Sequence, residues 1–146
     1  SSGQAVMNAV ATVAAGGHEV PAEILVPGAA GAGPALVLTA PISFWGGVDP
    51  GSGQIIDARH PQRGENVAGK VLFLPGTIGS SSASAVLLEL VHGGRAPAAI
   101  VMHEPDAILL LGLIVAREMG WLLPTAVRMA ADRHHAFSGQ QARIVF

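Results

Sequence analysis

The stretch KVLFLPGTIGSSSASAVLLE, residues 70–89, decides the predicted fold of this chain. Its apolar run VLFL, residues 71–74, is typical of a strand that is buried on both faces. Pro75 and Gly76 end this strand, and apolar residues at positions 86, 87, 90 and 91 mark one face of a helix. Three serines, at positions 80–82, lie where that helix begins, and serine is a preferred N-cap residue. The unpaired N–H groups at such a helix N-terminus favour the binding of an anion.

The segments after this stretch continue the alternation of strand and helix. We predict strands at 71–74, 98–102 and 125–127, separated by helices at 82–92 and 106–119. Right-handed crossovers make such strands parallel and bring their carboxyl ends to one edge of the sheet. The second helix is apolar on nearly all sides, which is typical of a helix buried against the sheet or against another subunit.

The remaining segments are predicted from shorter signals. Residues 4–15 form a short alanine-rich helix or a tail, so we divide the chain into an N-terminal segment, 1–22, and a domain, 23–146. We predict short strands at 23–26 and 35–38, an extended segment at 41–45 and a hairpin at 48–57, where Asp49-Pro50-Gly51 signals the turn. Residues 128–141 are predicted to form a loop, and residues 144–146 a last strand.

The composition excludes several classes of protein. The 146 residues are 50% hydrophobic and only 12% charged, so we expect some surface to be hidden in a permanent partner. The net charge of −2, without a basic run, argues against binding of nucleic acid or an anionic membrane. The absence of cysteine excludes disulfides, thiol catalysis and cysteine-ligated clusters within the chain. No apolar run reaches the ~20 residues that span a bilayer, and no stretch reads as a secretory signal, so we expect a cytoplasmic protein.

The loop between Gly76 and Ser82 is the strongest candidate site, although an ordinary βα turn with a serine cap fits the pattern equally well. It lacks the lysine of a P-loop and the three glycines of a dinucleotide-binding fingerprint. A nucleophile-elbow Gly-x-Ser-x-Gly is also absent. His103 and Glu104 follow the next strand, so we expect them at the same edge, where a helix cap is the favoured role for Glu104.

Other polar residues have simpler explanations. His134 and His135 lie near Asp132, but adjacent side chains diverge, so a solvated loop is favoured over a metal site. A group of charged residues in the loop after the predicted hairpin either binds an anion or forms a charged rim: Arg59, His60 and Arg63.

Two long stretches resemble the small, swivel-domain subunit of the aconitase X proteins. They are PISFWGGVDPGSGQIIDARHPQRGENVAGKVLFLPGTIGSSSASAVLLEL, residues 41–90, and GGRAPAAIVMHEPDAILLLGLIVAREMGWLLP, residues 93–124. The resemblance implies an α/β swivelling β/β/α fold, a mixed sheet or small barrel flanked by helices. It also implies a larger catalytic subunit, which would carry an iron–sulfur cluster or metal while this chain binds no cofactor. Members of this family are dehydratases that act on cis-3-hydroxy-L-proline or on (R)-5-phosphomevalonate.

The resemblance also assigns roles within the loop from Gly76 to Ser82, called the serine loop below. It implies that Ser80, directly after Gly79, is the proton acceptor, while Gly79, Ser81 and Ser82 contact the substrate. We expect Ser81 and Ser82 to cap the helix and hold the substrate carboxylate. Thr77-Ile78 stands where family members often have a basic residue before the glycine, which favours the amino-acid substrate over the phosphorylated one. A non-enzymatic module that binds a small anion is the alternative, whereas none of the six histidines is placed as a phosphohistidine carrier would require.

Overall fold

Seven strands close into a barrel, and two helices cover part of its outside. A computed structural model describes residues 9–146. The strands are β1 (Val10–Ala15), β2 (His18–Val26), β3 (Ala32–Val37), β4 (Val71–Leu74), β5 (Ala99–Met102), β6 (Thr125–Arg128) and β7 (Gln141–Val145). The helices are a single turn α1 (Phe44–Gly47), α2 (Ala83–His92), α3 (Ala107–Glu118) and a 3-10 helix (Ala131–Phe137). Around the barrel the strands follow the order β1-β2-β6-β5-β4-β3-β7.

Strands β4, β5 and β6 run parallel, as the alternating pattern predicts. On its other side β4 pairs with β3, also in parallel, which the pattern does not predict. Helices α2 and α3 are the crossovers between β4, β5 and β6, and Gly94 and Gly120 follow the two helices with φ of 73° and 74°. The mixed barrel flanked by helices that the resemblance implies is confirmed.

β4 and β5 are buried on both faces because one hydrophobic core fills the barrel interior and a second lies between the barrel and the helices. Val71 and Phe73 point into the barrel, whose interior is closed off by Phe137. Leu72 and Leu74 point outward, beneath α2 and α3. Alternation along an extended chain places successive side chains on opposite faces, so the run VLFL fills both cores at once.

The predicted N-terminal helix and the domain boundary at residue 23 are wrong for the described residues. Residues 10–15 form strand β1, which pairs with β2 from Val10↔Glu23 to Ala15↔His18 and also with β7. Its alanines favour a helix locally, but their small side chains fit the barrel interior, and strand pairing outweighs the local preference. The domain therefore includes residues 10–22, while residues 1–8 of the predicted tail lie outside the described part.

Three other predictions differ from the structure. Phe44 and Trp45, at the end of the predicted extended segment 41–45, belong to the turn α1 instead. The predicted hairpin is reduced to a single bridge between Val48 and Ile55, and its turn is held by the Asp49 side chain, which accepts hydrogen bonds from Gly51 N and Ser52 Oγ. The predicted loop at 128–141 contains the end of β6, the 3-10 helix and the start of β7, because Phe137 anchors it in the barrel core.

Helix α3 is buried on one side only. Leu109, Leu113 and Ala116 face the core, whereas Leu111 on the other side is 55% exposed. This exposed apolar side is available to a partner, which is one of the two environments predicted for an all-round apolar helix. Within residues 9–146, no helix is both long enough and apolar enough to cross a membrane.

His134 is expected to make stability fall at acidic pH. Its ring is 2% exposed, stands edge-on to Phe73 and hydrogen-bonds to the Met129 carbonyl through Nε2, while Nδ1 has no partner. Burial lowers the pKa of His134, although the hydrogen bond to Met129 acts in the opposite direction. The unfolded chain therefore binds the proton more readily. The contribution of neutral His134 to the free energy of unfolding is fully present above its ordinary pKa of 6.5. It is lost as the pH falls towards the lower folded-state pKa.

Thermal melting between pH 7.5 and 5 tests this expectation. His134→Gln keeps a donor for the Met129 carbonyl but cannot be protonated, so we expect its melting temperature to fall less with decreasing pH than that of the wild type. His135→Gln, at an exposed neighbouring position, is the matched control and should keep the wild-type slope. Equal slopes for His134→Gln and the wild type would contradict the assignment.

Candidate active site

The loops after β4 and β5 enclose a cleft at the carboxyl edge of the parallel strands. Its volume is about 590 Å³. The lining residues come from the segments before α1, after β4 and around the start of α3: Pro41, Pro75, Gly76, Thr77, Gly79, His103, Glu104, Pro105, Asp106, Ala107 and Ile108. The structure thus brings the serine loop, His103 and Glu104 to one edge, as predicted from strand order.

A hydrogen bond joins the two main loops of this cleft. Thr77 Oγ1 donates to Asp106 Oδ2 at 2.6 Å. The other carboxylate oxygen of Asp106 accepts the N–H groups of Ile108 and Leu109, at 2.8 and 3.3 Å, and so caps α3. Asp106 therefore fixes the serine loop to the beginning of α3.

The three serines have different environments from those predicted. Ser80 Oγ accepts the N–H of Ser82 at 3.3 Å, so Ser80 caps the start of α2. Ser82 is the N-cap residue by position, but its φ of −85° and ψ of −6° are already helical, and its side chain makes no capping bond. A capping side chain requires extended backbone at that residue, so the predicted capping by Ser82 is wrong. Ser81 is exposed and offers its carbonyl to Ser84 Oγ at 3.4 Å.

Gly79 lines the cleft, whereas Ser80, the next residue, is not one of the lining residues. Ser80 is half-buried, whereas Gly79 and Ser81 are exposed. The Ser80 oxygen lies at a helix N-terminus with a backbone N–H directed at it, which stabilises negative charge on that oxygen.

The predicted cap by Glu104 is wrong, because Asp106 makes those bonds. Pro105 consequently precedes the N-cap residue and does not lie in the first turn of α3. His103 is held by its backbone and by its ring: its N–H donates to Leu74 O at 3.1 Å, and its Nδ1 accepts the N–H of Ala131 at 3.0 Å. Arg128 Nε also donates to the His103 carbonyl at 3.0 Å.

The other candidate residues lie outside this cleft. His60, predicted on a charged rim, is buried and hydrogen-bonds to Ala40 O and Gln62 N. Arg59 is exposed and lines an adjoining cleft of about 550 Å³ that shares Pro41 with the first. A solvated loop is predicted for His134 and His135, but both lie in the 3-10 helix, where His135 is exposed and His134 is buried. Within residues 9–146, no group of three or more His, Asp or Glu side chains could hold a metal ion.

Sequence reasoning missed the clamp between Thr77 and Asp106. Asp106 stands directly before the apolar run of α3, which is the ordinary signal for an N-cap, and choosing it over Glu104 would have placed the cap correctly. Thr77 carries no such signal, because its partner lies 29 residues away in the sequence.

Removal of this clamp is expected to loosen the serine loop. Thr77→Val keeps the side-chain shape but loses a hydrogen bond to a carboxylate, so we expect the free energy of unfolding to fall by about 1–2 kcal/mol. Amide hydrogen exchange in residues 76–83 should become faster. Thr39→Val removes an exposed hydroxyl that bonds to Gln62 and should leave exchange in the serine loop unchanged. Wild-type exchange in Thr77→Val would contradict a clamping role.

The family model for the aconitase X swivel domain matches residues 19–145. The chain belongs to the aconitase X swivel-domain family. The aconitase X of Thermococcus kodakaraensis, solved as a holo-form, has a TM-score of 0.62 and 30% identity, with 82% of this chain and 92% of that chain covered.

Two relatives of this aconitase X swivel domain are dehydratases by name. Cis-3-hydroxy-L-proline dehydratase of Pseudomonas aeruginosa is 51% identical over 110 residues, which are 75% of this chain and 19% of the relative. The phosphomevalonate dehydratase small subunit of Methanothermobacter thermautotrophicus is 46% identical over 86 residues, 59% of this chain and 66% of the relative. The chain therefore matches about a fifth of the first relative's length and just under two thirds of the second's.

Proposed function

We propose that this chain is the small subunit of an aconitase-X-type dehydratase, a hydro-lyase that is active only with a larger partner. The dehydratase names of both relatives support the reaction class. We propose cis-3-hydroxy-L-proline as the substrate and Δ1-pyrroline-2-carboxylate as the product. The higher identity to the relative with that name supports this choice, as does the absence of lysine and arginine among the described residues that line the cleft.

The hydrogen bond from the Ser82 N–H to Ser80 Oγ carries the catalytic assignment. A serine hydroxyl is a poor base unless its alkoxide is stabilised, and the amide groups at the start of α2 provide that stabilisation. In the proposed step the Ser80 oxygen takes the proton from the α-carbon, the C–H electron pair forms a carbon–carbon double bond, and hydroxide leaves the adjacent carbon. The resulting enamine then tautomerises to the cyclic imine.

This chain does not fit an iron–sulfur cluster, since it contains no cysteine. We therefore place any cluster or metal ion, and the group that takes up the leaving hydroxide, on the partner. The large part of the P. aeruginosa relative that lies beyond the match supports a partner of considerable size. Ile78 and Leu111 support contact near the cleft, because they are 56% and 55% exposed on the serine loop and on α3. A partner seated there would exclude water and strengthen the electrostatic stabilisation of the Ser80 oxygen.

Phosphomevalonate is the second candidate substrate. Arg59 favours it, because its guanidinium group lines the cleft that adjoins the serine loop and is suited to a phosphate. The M. thermautotrophicus relative carries that activity in its name.

Reconstitution with the larger aconitase X subunit tests the proposal. We expect the complex to dehydrate cis-3-hydroxy-L-proline with a kcat/KM at least about ten-fold above that for (R)-5-phosphomevalonate. Turnover of phosphomevalonate alone would support the second candidate. Dehydration by the isolated chain would contradict the need for a partner, and anion binding by a complex without turnover would favour a regulatory module.

A further inference from the structure

The cleft carries two polar side chains that the proposed proton transfer does not use, His103 and Glu104. Both line the cleft beside the serine loop. The other acidic group there, Asp106, is already bound by Thr77 and by the start of α3. His103 and Glu104 are therefore the lining side chains whose charged or polar ends remain available to a ligand.

The hydrogen bonds of His103 determine what its ring offers to the cleft. Because Nδ1 accepts the N–H of Ala131, the proton of the neutral ring lies on Nε2. Nε2 has no hydrogen-bond partner within residues 9–146. The only buried, unpartnered side-chain nitrogen or oxygen in that range is Nδ1 of His134, so Nε2 of His103 is accessible. His103 is thus a fixed donor at the cleft, with its ring oriented by the 3-10 helix.

Glu104 offers the cleft a carboxylate, which accepts hydrogen bonds, whereas His103 offers a donor. Its side chain is exposed and makes no hydrogen bond or ion pair with the described residues, because Asp106 has taken the capping role. The described lining residues include no cation that would neutralise it. Arg128 is engaged at the His103 carbonyl and does not line the cleft. A ligand that is wholly anionic would be repelled by this carboxylate, whereas a ligand with both signs of charge would not.

We propose that His103 and Glu104 bind the two charged ends of a zwitterionic cyclic amino acid. His103 Nε2–H donates to the substrate carboxylate, and the Glu104 carboxylate pairs with the ring ammonium. This assignment rests on the proposed dehydratase function and makes the two residues the determinants that favour an amino acid over a phosphorylated acid. Because the α-carbon carries both the carboxylate and the ring nitrogen, these two contacts together position the carbon whose proton Ser80 removes.

Inhibition of the complex by three small probes tests the two contacts separately. L-proline carries both charges, pyrrolidine lacks the carboxylate, and tetrahydrofuran-2-carboxylate lacks the ammonium. His103→Leu should weaken inhibition by L-proline about ten-fold or more and leave inhibition by pyrrolidine unchanged. Glu104→Gln should weaken inhibition by L-proline but not by tetrahydrofuran-2-carboxylate.

The conservative variant His103→Gln separates ligand binding from a structural role. Its amide can accept the Ala131 N–H and still donate to a carboxylate, so it should restore most of the affinity for L-proline. Equal losses for L-proline and pyrrolidine in His103→Leu would show that His103 acts only by holding the 3-10 helix, and would overturn the proposal. Wild-type inhibition in both variants, with turnover intact, would overturn it while leaving the dehydratase function standing. A wild-type complex that dehydrates neither hydroxy acid would overturn both.

Discussion

Ser80→Ala is expected to lower turnover by the reconstituted complex about 10³-fold or more while leaving assembly intact. The substitution removes the oxygen that accepts the Ser82 N–H at the start of α2 and replaces it with a methyl group that cannot take a proton. Loss of the cap should cost about 1 kcal/mol of stability, which a folded domain tolerates. The large effect on turnover and the small effect on folding are separable by measuring kcat, melting temperature and complex size together.

Deuterium exchange distinguishes a proton acceptor from a residue that only binds substrate. In D2O, the wild-type complex should incorporate deuterium at the α-carbon or dehydrate the substrate, and Ser80→Ala should do neither. Ser84→Ala is the matched control, because it removes another hydroxyl near the start of α2 whose bond is only to the Ser81 carbonyl. A Ser80→Ala complex with wild-type kcat, or with exchange intact and only KM raised, would contradict the assignment.

The parallel part of the fold is readable from the sequence because its signals are local. The run VLFL, the glycines after α2 and α3 and the apolar periodicity of both helices each lie within about a dozen residues. These local patterns fix strand order at the centre of the sheet, and strand order in turn places His103 beside the serine loop. The family resemblance then singles out Ser80 as the proposed proton acceptor among three adjacent serines. Residue type alone does not distinguish them.

The antiparallel part is not readable in the same way, because its contacts are distant in sequence. β1 pairs with β7, so Val13 lies opposite Ile144 although nearly the whole sequence separates them. No local signal in an alanine-rich segment indicates such a partner, and helix propensity points in the wrong direction. The burial of His134 has the same origin, since its neighbour Phe73 belongs to a strand some sixty residues earlier.

Within the site, the missing information concerns which of several similar residues makes a contact. The choice between Glu104 and Asp106 as the helix cap depends on one backbone residue having extended geometry, and φ of −102° with ψ of 107° at Asp106 decides it. The same criterion removes Ser82 from the capping role, and the Ser80 side chain instead accepts the Ser82 N–H. The side chain of Glu104, which is not used as a cap, therefore remains available to the ligand proposed for it.

Gly31→Ala is expected to have the largest effect on folding. A Cβ at this position would lie 1.9 Å from the carbonyl oxygen of Ala98 and 2.6 Å from its carbonyl carbon, and both atoms belong to the backbone just before β5. Gly31 cannot move away easily, because its carbonyl accepts the N–H of Ile144 and its own N–H donates to Ala29. Relief of the clash must therefore displace the backbone before β3 from the backbone before β5, and we expect a loss of about 3 kcal/mol or more in the free energy of unfolding.

Urea unfolding measures this effect, with Gly17→Ala as the matched control. A Cβ at Gly17 meets nothing within 4 Å, so its unfolding midpoint should stay within about 0.5 kcal/mol of the wild type. Gly31→Ala should unfold at a much lower urea concentration with an unchanged m-value, or fail to fold. A wild-type midpoint would mean that the backbone at Ala98 yields, and the close approach of the residue before β3 to the residue before β5 would then not be needed to close the barrel. This residue lies in the sequence GAAGAGP, residues 28–34, where glycine content alone predicts a loop. Its actual role is to let two backbones meet, which is a property of the closed barrel and of no single segment.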